Sequence, residues 1–156
     1  MITDVEQTIR EYLPQTVHMS FATARDNRPW VCEVHFAYDE ELNLYFRSLT
    51  SRRHSQEIAG NSRVAGNIVV QHALGSPVRG VYFEGVAKLL EPGNEQEVAY
   101  RCLQERMQPS SDILEESRHV DGHQFYKIEV ETFYLFDSIE SKPSQKYELK
   151  WKSNLK

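Results

Sequence analysis

The residues best suited to chemistry lie in the segment 48–53, Ser-Leu-Thr-Ser-Arg-Arg, where a predicted strand is followed by a predicted helix. The hydroxyls of Thr50 and Ser51 and the backbone N–H groups of a helix start donate hydrogen bonds, and Arg52 and Arg53 add positive charge. Two arginines at a helix start oppose the helix dipole, and a bound anion would remove that conflict. The segment 48–53, called the corner from here on, therefore predicts a phosphate site.

Two further residues contribute to the same corner. Arg47, at the end of the preceding strand, adds a third cation, and Ser48 adds a further hydroxyl. The alternative is a solvated patch in which the arginines pair with Glu57 and nearby acids. Residue types alone leave both interpretations open.

Other catalytic motifs are weak or absent. Two histidines and an aspartate in the segment 119–123 suggest a metal site, but Gly122 disrupts the helical spacing, so we expect solvated histidines and no metal. Neither Cys32 nor Cys102 has a sequence neighbour that would lower its pKa. The seven glycines do not cluster as they do in a Walker or dinucleotide-binding loop. Catalytic residues stay unidentified, and a bound phosphorylated cofactor is favoured.

Composition sets further bounds. The 156 residues predict a single domain, 1–156, and the formal net charge of −5 leaves no basic face for nucleic acid. No segment has the apolar length of a membrane span, and the N-terminus does not have the pattern of a signal peptide. We therefore expect a cytoplasmic protein with free thiols and with no nucleic-acid or membrane partner.

Most of the secondary structure predicted around this corner consists of β-strands. Apolar residues alternate with a period of two over eight segments. The predicted strands are 16–23, 30–38, 42–46, 63–71, 80–90, 124–130, 133–139 and 146–151. Gly66 lies inside one of them, where a glycine often marks a bend or a close approach by another backbone or a ligand.

Three helices are predicted beside these strands. A capping box of Thr3 and Glu6 begins the first, which ends at Pro14, and Ser51 is the expected N-cap of the second. The third covers residues 94–107. Eight strands with few helices predict a mostly β fold, either a closed or nearly closed antiparallel barrel or a plain sandwich.

Residues 21–70 resemble the flavin-binding split-barrel family named after pyridoxamine 5′-phosphate oxidase. The ordered set of elements carries the resemblance: a turn with Arg28 and Pro29, the strand WVCEVHFAYDE, a strand of the LYFRS type, and a hydroxyl-rich turn before the helix. The family has a Ser-Arg-Lys triplet at this helix start, where the FMN phosphate binds. Here the triplet reads Ser-Arg-Arg, which keeps the charge.

The resemblance implies an antiparallel split β-barrel of about eight strands with a few peripheral helices, and FMN as the cofactor. It places the phosphate at the helix start and the isoalloxazine ring against the backbone of residues 31–34. It also implies a homodimer with FMN at the subunit interface, where Trp151 or Tyr82 of the second copy could cover the ring. The predicted FMN contacts are Arg47, Ser48, Thr50, Ser51, Arg52, Arg53, Val31, Cys32, Glu33 and Trp151.

Two departures from the family pattern narrow the function. Gly80 stands where the oxidase has a glutamine near the flavin ring, and the C-terminal segment 146–156 lacks the Arg-x-His that grips pyridoxal phosphate. The resemblance therefore points to FMN and away from vitamin B6 oxidation. It implies an FMN-dependent oxidoreductase that acts on an unidentified small molecule.

Four alternatives remain, one of which is that the barrel persists and the cofactor has been lost. The chain could be a flavin carrier or sensor without turnover. It could be a haem-binding relative that uses His54 or His72. It could also use the deazaflavin F420, although the acidic tail of that cofactor would need more cations than the corner offers.

Overall fold

The computed structural model describes residues 1–152; residues 153–156, the end of the predicted domain 1–156, lie outside the described residues. Four α-helices and a short 3-10 helix, Leu13–Gln15, occur in this part of the chain. None of these helices is long and apolar enough to cross a membrane. The α-helices are α1 (Val5–Tyr12), α2 (Arg53–Gly60), α3 (Asn94–Met107) and α4 (Ile113–Glu116).

Eight strands form one antiparallel sheet in the described residues, with the order β2-β1-β5-β6-β7-β4-β3, and β8 also pairs with β7. The sheet curves into a half-barrel, which confirms the predicted mostly β, antiparallel split-barrel fold. The strands are β1 (His18–Arg25), β2 (Arg28–His35), β3 (Ala37–Tyr38), β4 (Leu44–Ser48), β5 (Arg63–Ile68), β6 (Arg79–Leu89), β7 (Gln124–Asp137) and β8 (Gln145–Lys150).

The long strand β7 corrects one prediction, because segments 124–130 and 133–139 do not form two strands. Opposite β6, Thr132 pairs with Glu84 and Val130 pairs with Gly85, so Glu131 is an extra residue in the ladder. Such a β-bulge exchanges the buried and exposed parity of a strand. The apparent break in alternation is therefore a bulge within one continuous strand.

The predicted strand 30–38 is divided in the structure. β2 pairs with β1, whereas β3 pairs with β4, so the chain changes its partner at Phe36. The backbone N–H of Phe36 donates to the carbonyl of Val17 at 3.0 Å, outside either ladder. The division leaves β2 as an edge strand that pairs only with β1 in the described chain.

Two predicted helix caps were wrong by one residue each. Asp4, not Thr3, caps α1, because its side chain accepts the N–H of Gln7 at 2.9 Å. Arg52, not Ser51, occupies the N-cap of α2, where its backbone is extended with φ −67 and ψ 147. The preceding turn, in which the N–H of Arg52 donates to the carbonyl of Leu49, moves the helix start one residue further along the chain.

The core is rich in phenylalanine and lies inside the curve of the sheet, with a second apolar cluster beneath α3. Gly66 lets β5 approach β1 closely. A Cβ at this position would lie 2.3 Å from the carbonyl oxygen of Ser20 and 2.5 Å from Cζ of Phe83. The expectation of a close backbone approach is confirmed, because only glycine fits there without a shift of the strands.

Candidate functional site

The N-terminus of α2 forms the predicted phosphate corner. No side-chain hydrogen bond caps this helix, so no capping side chain satisfies the N–H groups of its first turn. Thr50, Ser51 and Arg52 are exposed beside it. Within the described residues, none of these three side chains has a hydrogen-bond or ion-pair partner. The backbone N–H groups of the first turn, the hydroxyls of Thr50 and Ser51 and the guanidinium of Arg52 are therefore available to donate hydrogen bonds to a bound anion.

Arg53 is engaged within the protein. Its Nε donates to Oε2 of Glu57 at 2.8 Å, and its guanidinium lies 4.4 Å from the ring centroid of Trp30. Glu57 is buried and also accepts from the hydroxyl of Thr23 at 2.9 Å. The hydrogen bond from Arg53 is the main cause that lowers the pKa of Glu57 below its ordinary value. The conflict of Arg53 with the helix dipole is therefore resolved locally, and its stacking on Trp30 brings β2 against the corner.

Ser48 and His54 lie buried beneath the corner. Both are buried, and Oγ of Ser48 lies 2.7 Å from Nε2 of His54. Burial, together with the charge of Arg52, lowers the pKa of His54, so the imidazole adds no charge to the helix start at neutral pH. The hydroxyl of Ser48 is thus already hydrogen-bonded within the protein.

The three predicted ring contacts lie together on the edge strand β2. Val31 is 63% exposed, whereas Cys32 is partly buried. Burial raises the pKa of the Cys32 thiol to about 12, so thiolate chemistry at neutral pH is excluded there. Glu33 is exposed, and its Oε1 lies 3.1 Å from Nδ1 of His18. Strand β2 therefore places the exposed apolar side chain of Val31 beside the corner, and its Cys32 does not act as a nucleophile.

Arg47 points to a different partner, Glu116 of α4. Its Nη2 donates to Oε2 of Glu116, and Oε1 of that carboxylate lies 2.8 Å from Nδ1 of His123. The backbone N–H of His123 also donates to Oε1 at 3.2 Å. These hydrogen bonds, with that of the His123 ring the largest cause, lower the pKa of Glu116 to about 2. An ionised carboxylate only accepts, so the His123 ring donates its Nδ1–H.

Sequence reasoning missed this Arg47–Glu116–His123 cluster. Arg47 and Glu116 lie 69 positions apart, and no periodic pattern joins them. His119 lies 3.7 Å from Glu115 at the surface, as expected of a solvated histidine, whereas His123, whose side chain is 45% exposed, also hydrogen-bonds Glu116. The two histidines approach different carboxylates. Among residues 1–152, no group of three or more metal-ligating side chains is placed to hold a metal ion.

A cavity of about 630 Å³ opens beside this cluster. Leu103, Met107 and Ile113 form an apolar wall, while Arg47 and His123 supply polar groups. Glu33 of β2 also lines the cavity, so the cavity adjoins the strand on which the predicted ring contacts lie.

Trp151, the remaining predicted contact, lies elsewhere in its own chain. Its indole Nε1 donates to the carbonyl of Glu41 at 2.7 Å, and its ring packs against Arg10 and Phe133. The structure therefore brings together the predicted residues of β4, α2 and β2, while Trp151 contacts α1, β7 and the turn before β4.

A family model described as pyridoxamine 5′-phosphate oxidase matches residues 5–137. No curated protein matches the chain. Among solved structures, a haem-binding protein from Mycobacterium smegmatis is 15% identical with a TM-score of 0.75, over 96% of this chain and 59% of that longer chain. A FAD-binding protein from Mesorhizobium loti is 19% identical with a TM-score of 0.65, over 85% and 94% of the two chains. The haem storage protein HutZ from Vibrio cholerae is 16% identical with a TM-score of 0.65, over 86% and 95%. At these identities the likeness establishes the fold.

Proposed function

The chain belongs to the pyridoxamine 5′-phosphate oxidase family, and on that premise we propose that it binds FMN at the start of α2 and acts as a flavin-dependent oxidoreductase on a small molecule. The observation that carries the proposal is the uncapped helix start, where Arg52 has no carboxylate partner among the described residues. A phosphate monoester supplies the acceptors that these donors lack. Bound FMN would supply the electron transfer, and the chain would bind and orient it.

The surroundings of the corner support a ligand that has a flat ring as well as a phosphate. Trp30 and Val31 are exposed on β2, and Arg53 joins Trp30 to the helix start. A ligand bound at Arg52 therefore has an exposed apolar strand within the same surface. F420 is disfavoured because its acidic tail needs further cations, whereas Arg47 and Arg53 are already paired with glutamates.

We also propose that the chain forms a homodimer with the cofactor at the subunit interface. The support is the edge strand β2, where Trp30 is 41% exposed and Val31 is 63% exposed. Burial of these side chains against a second copy would remove apolar surface from water beside the corner. Light scattering coupled to size exclusion tests the dimer, and a monomer at micromolar concentration would contradict it.

The first experiment is the visible absorption spectrum of the freshly purified protein, with and without added FMN. Flavin bands, or saturable FMN uptake, are the expected result. The double variant Arg52→Ala/Arg53→Ala should bind FMN about 10- to 100-fold more weakly, because it removes Arg52, the arginine without a partner in the described chain, and a charge-assisted hydrogen bond contributes about 1.5–3 kcal/mol. Arg63→Ala, which removes an exposed arginine paired with Glu131, is the matched control.

Retention of FMN by a folded double variant would show that the phosphate binds elsewhere. A second measurement separates an enzyme from a carrier. Reduction of the bound flavin by NADH or NADPH, followed by reoxidation with a candidate small molecule, indicates turnover. Flavin that binds but exchanges no electrons with either reductant indicates a carrier or sensor.

Haem is the second candidate ligand. Its support is the shared fold with the Mycobacterium smegmatis haem-binding protein and with HutZ. Nε2 of His54 is engaged by Ser48, whereas His72 is exposed in the loop after β5, so His72 is the better placed axial ligand. Haemin titration should produce a Soret band that His72→Ala weakens. A protein that takes up FMN and gives no Soret band excludes this candidate.

A further inference from the structure

We propose that the cavity beside β2 binds a small, mostly apolar molecule that carries an acidic hydroxyl of the phenol type, and that His123 accepts the proton of this hydroxyl. The proposal deepens the proposed function and rests on it in one respect, because the cavity would then hold the substrate next to the FMN ring. The binding and the proton transfer depend only on side chains of this chain.

The shape of the cavity defines the first part of the ligand class. Its volume of about 630 Å³ is that of a small-molecule site. Leu103 is buried and Ile113 is almost completely buried, so they form a firm apolar wall, to which Met107 adds an adaptable side chain. A flat carbon skeleton fits such a wall better than a sugar or a highly charged metabolite does.

The polar end of the cavity defines the second part. His123 donates its Nδ1–H to Glu116, so Nε2 is the nitrogen that carries the lone pair when the ring is neutral. Within the described residues Nε2 has no hydrogen-bond partner. An imidazole whose orientation is held by a carboxylate and whose second nitrogen is open is arranged as a proton acceptor.

The charges around His123 favour a ligand that enters neutral and is then deprotonated. Arg47 is balanced by Glu116, and Glu33 is approached by His18. Arg106 also lines the cavity, but its guanidinium donates to the carbonyls of Phe36, Leu13 and Thr16. His35 of β2 completes the titratable groups of the lining. The fixed charges around the cavity, those of Arg47 and Arg106 against those of Glu33 and Glu116, therefore cancel, and the lining does not require an anion.

The proton transfer itself is balanced. The O–H bond of the ligand breaks, an N–H bond forms at Nε2 of His123, and the oxygen keeps the electron pair. The imidazolium that results faces the carboxylate of Glu116, and the ligand oxygenate faces the guanidinium of Arg47. Arg47 lines the cavity, and its guanidinium has N–H donors beyond the one given to Glu116. Glu116 acts as a positioning residue.

4-Nitrophenol is a direct probe, because its ionised form absorbs visible light. Difference spectra of the purified protein with and without the phenol, recorded across pH, give the ionised fraction of the bound phenol. We expect its pKa to fall by about one pH unit on binding, the effect of one nearby cation and one proton acceptor. His123→Gln should reduce the shift to less than half, since only the Arg47 cation remains, whereas His119→Gln, which removes an exposed histidine of the same loop, should retain the full shift.

Absence of a shift in the wild-type protein overturns the proposal, and so does a full shift in His123→Gln. Met107→Trp, which fills the apolar wall, provides a second test if His123→Gln does not fold, and retention of the shift there would exclude the cavity. FMN uptake measured on the same samples separates the two proposals. Uptake without a phenol shift contradicts only this inference, and a His123-dependent shift without uptake contradicts only the FMN assignment.

Discussion

Two arginine–glutamate pairs, whose arginines are six positions apart in the sequence, differ in how they are built. Arg53 pairs with Glu57 one helical turn away, and its side chain is 46% exposed while the carboxylate is 4% exposed. Arg47 pairs with Glu116, which comes from α4, and the exposed fractions are 21% and 34%. At the helix start the carboxylate is buried, whereas at the cavity the arginine is the less exposed partner.

The difference separates two uses of the same ion pair. Arg53–Glu57 stabilises a helix start that carries two arginines, and it leaves Arg52 as the cation without a partner in the described chain. Arg47–Glu116 fixes a distant helix against β4, and the same carboxylate orients His123. The local pair prepares a surface for an anion, and the long-range pair prepares a proton acceptor.

The largest effect is expected from the sheet that supports both pairs. Gly66→Ala should lower the free energy of unfolding by about 3 kcal/mol, because the new Cβ would overlap the Ser20 carbonyl and the Phe83 ring. Gly80→Ala is the control, since its Cβ would lie 3.5 Å from Val69, an ordinary contact, and should change stability by about 0.5 kcal/mol or less. Urea unfolding measures both, and equal stabilities would show that β5 can move away from β1.

The two pairs should respond differently to loss of the arginine. Arg53→Met should cost about 2 kcal/mol of unfolding free energy, since it leaves the buried carboxylate of Glu57 without its charged partner. Arg47→Met should cost about 1 kcal/mol, because both partners of that pair are partly exposed and water screens the loss. Urea unfolding of the two variants decides the ranking, and a reversed order would contradict the distinction drawn between the pairs.

A smaller effect is expected in acid. The pKa of Glu116 is lowered from 4.5 to about 2 by the His123 hydrogen bond first and by Arg47, so its stabilisation is present above pH 4.5 and is lost as the pH falls towards 2. Its partial exposure screens part of this contribution. Glu116→Gln should therefore lose less unfolding free energy than the wild type between pH 4.5 and 2.

Glu115→Gln is the control for that measurement. It removes a carboxylate from the same helix without removing the hydrogen bonds from His123, since Glu115 contacts Arg118 and His119 at the surface. Identical acid profiles for the wild type and Glu116→Gln would show that the cluster does not hold the carboxylate ionised.

The sequence was sufficient wherever the information is local. The period of two predicted the strands, and the segment 48–53 predicted that Arg52 and Arg53 meet at a helix start. The prediction of two strands, 124–130 and 133–139, was wrong because the bulge at Glu131 interrupts the alternation of buried and exposed residues in the same way as a turn does. Glu116 could not be found, since the four-residue helix that carries it has no periodicity and its partner Arg47 is distant in sequence.

The edge strand β2 has one more consequence, for behaviour in a crowded solution. A free edge is a template on which the strand of another molecule can add, and repeated addition leads to filaments. β2 carries Pro29, which has no N–H to offer, between the charged Arg28 and, further along, Glu33. Association through the face of β2 that exposes Val31 would thus bring side chains against side chains, which ends in a closed pair instead of an open-ended fibre.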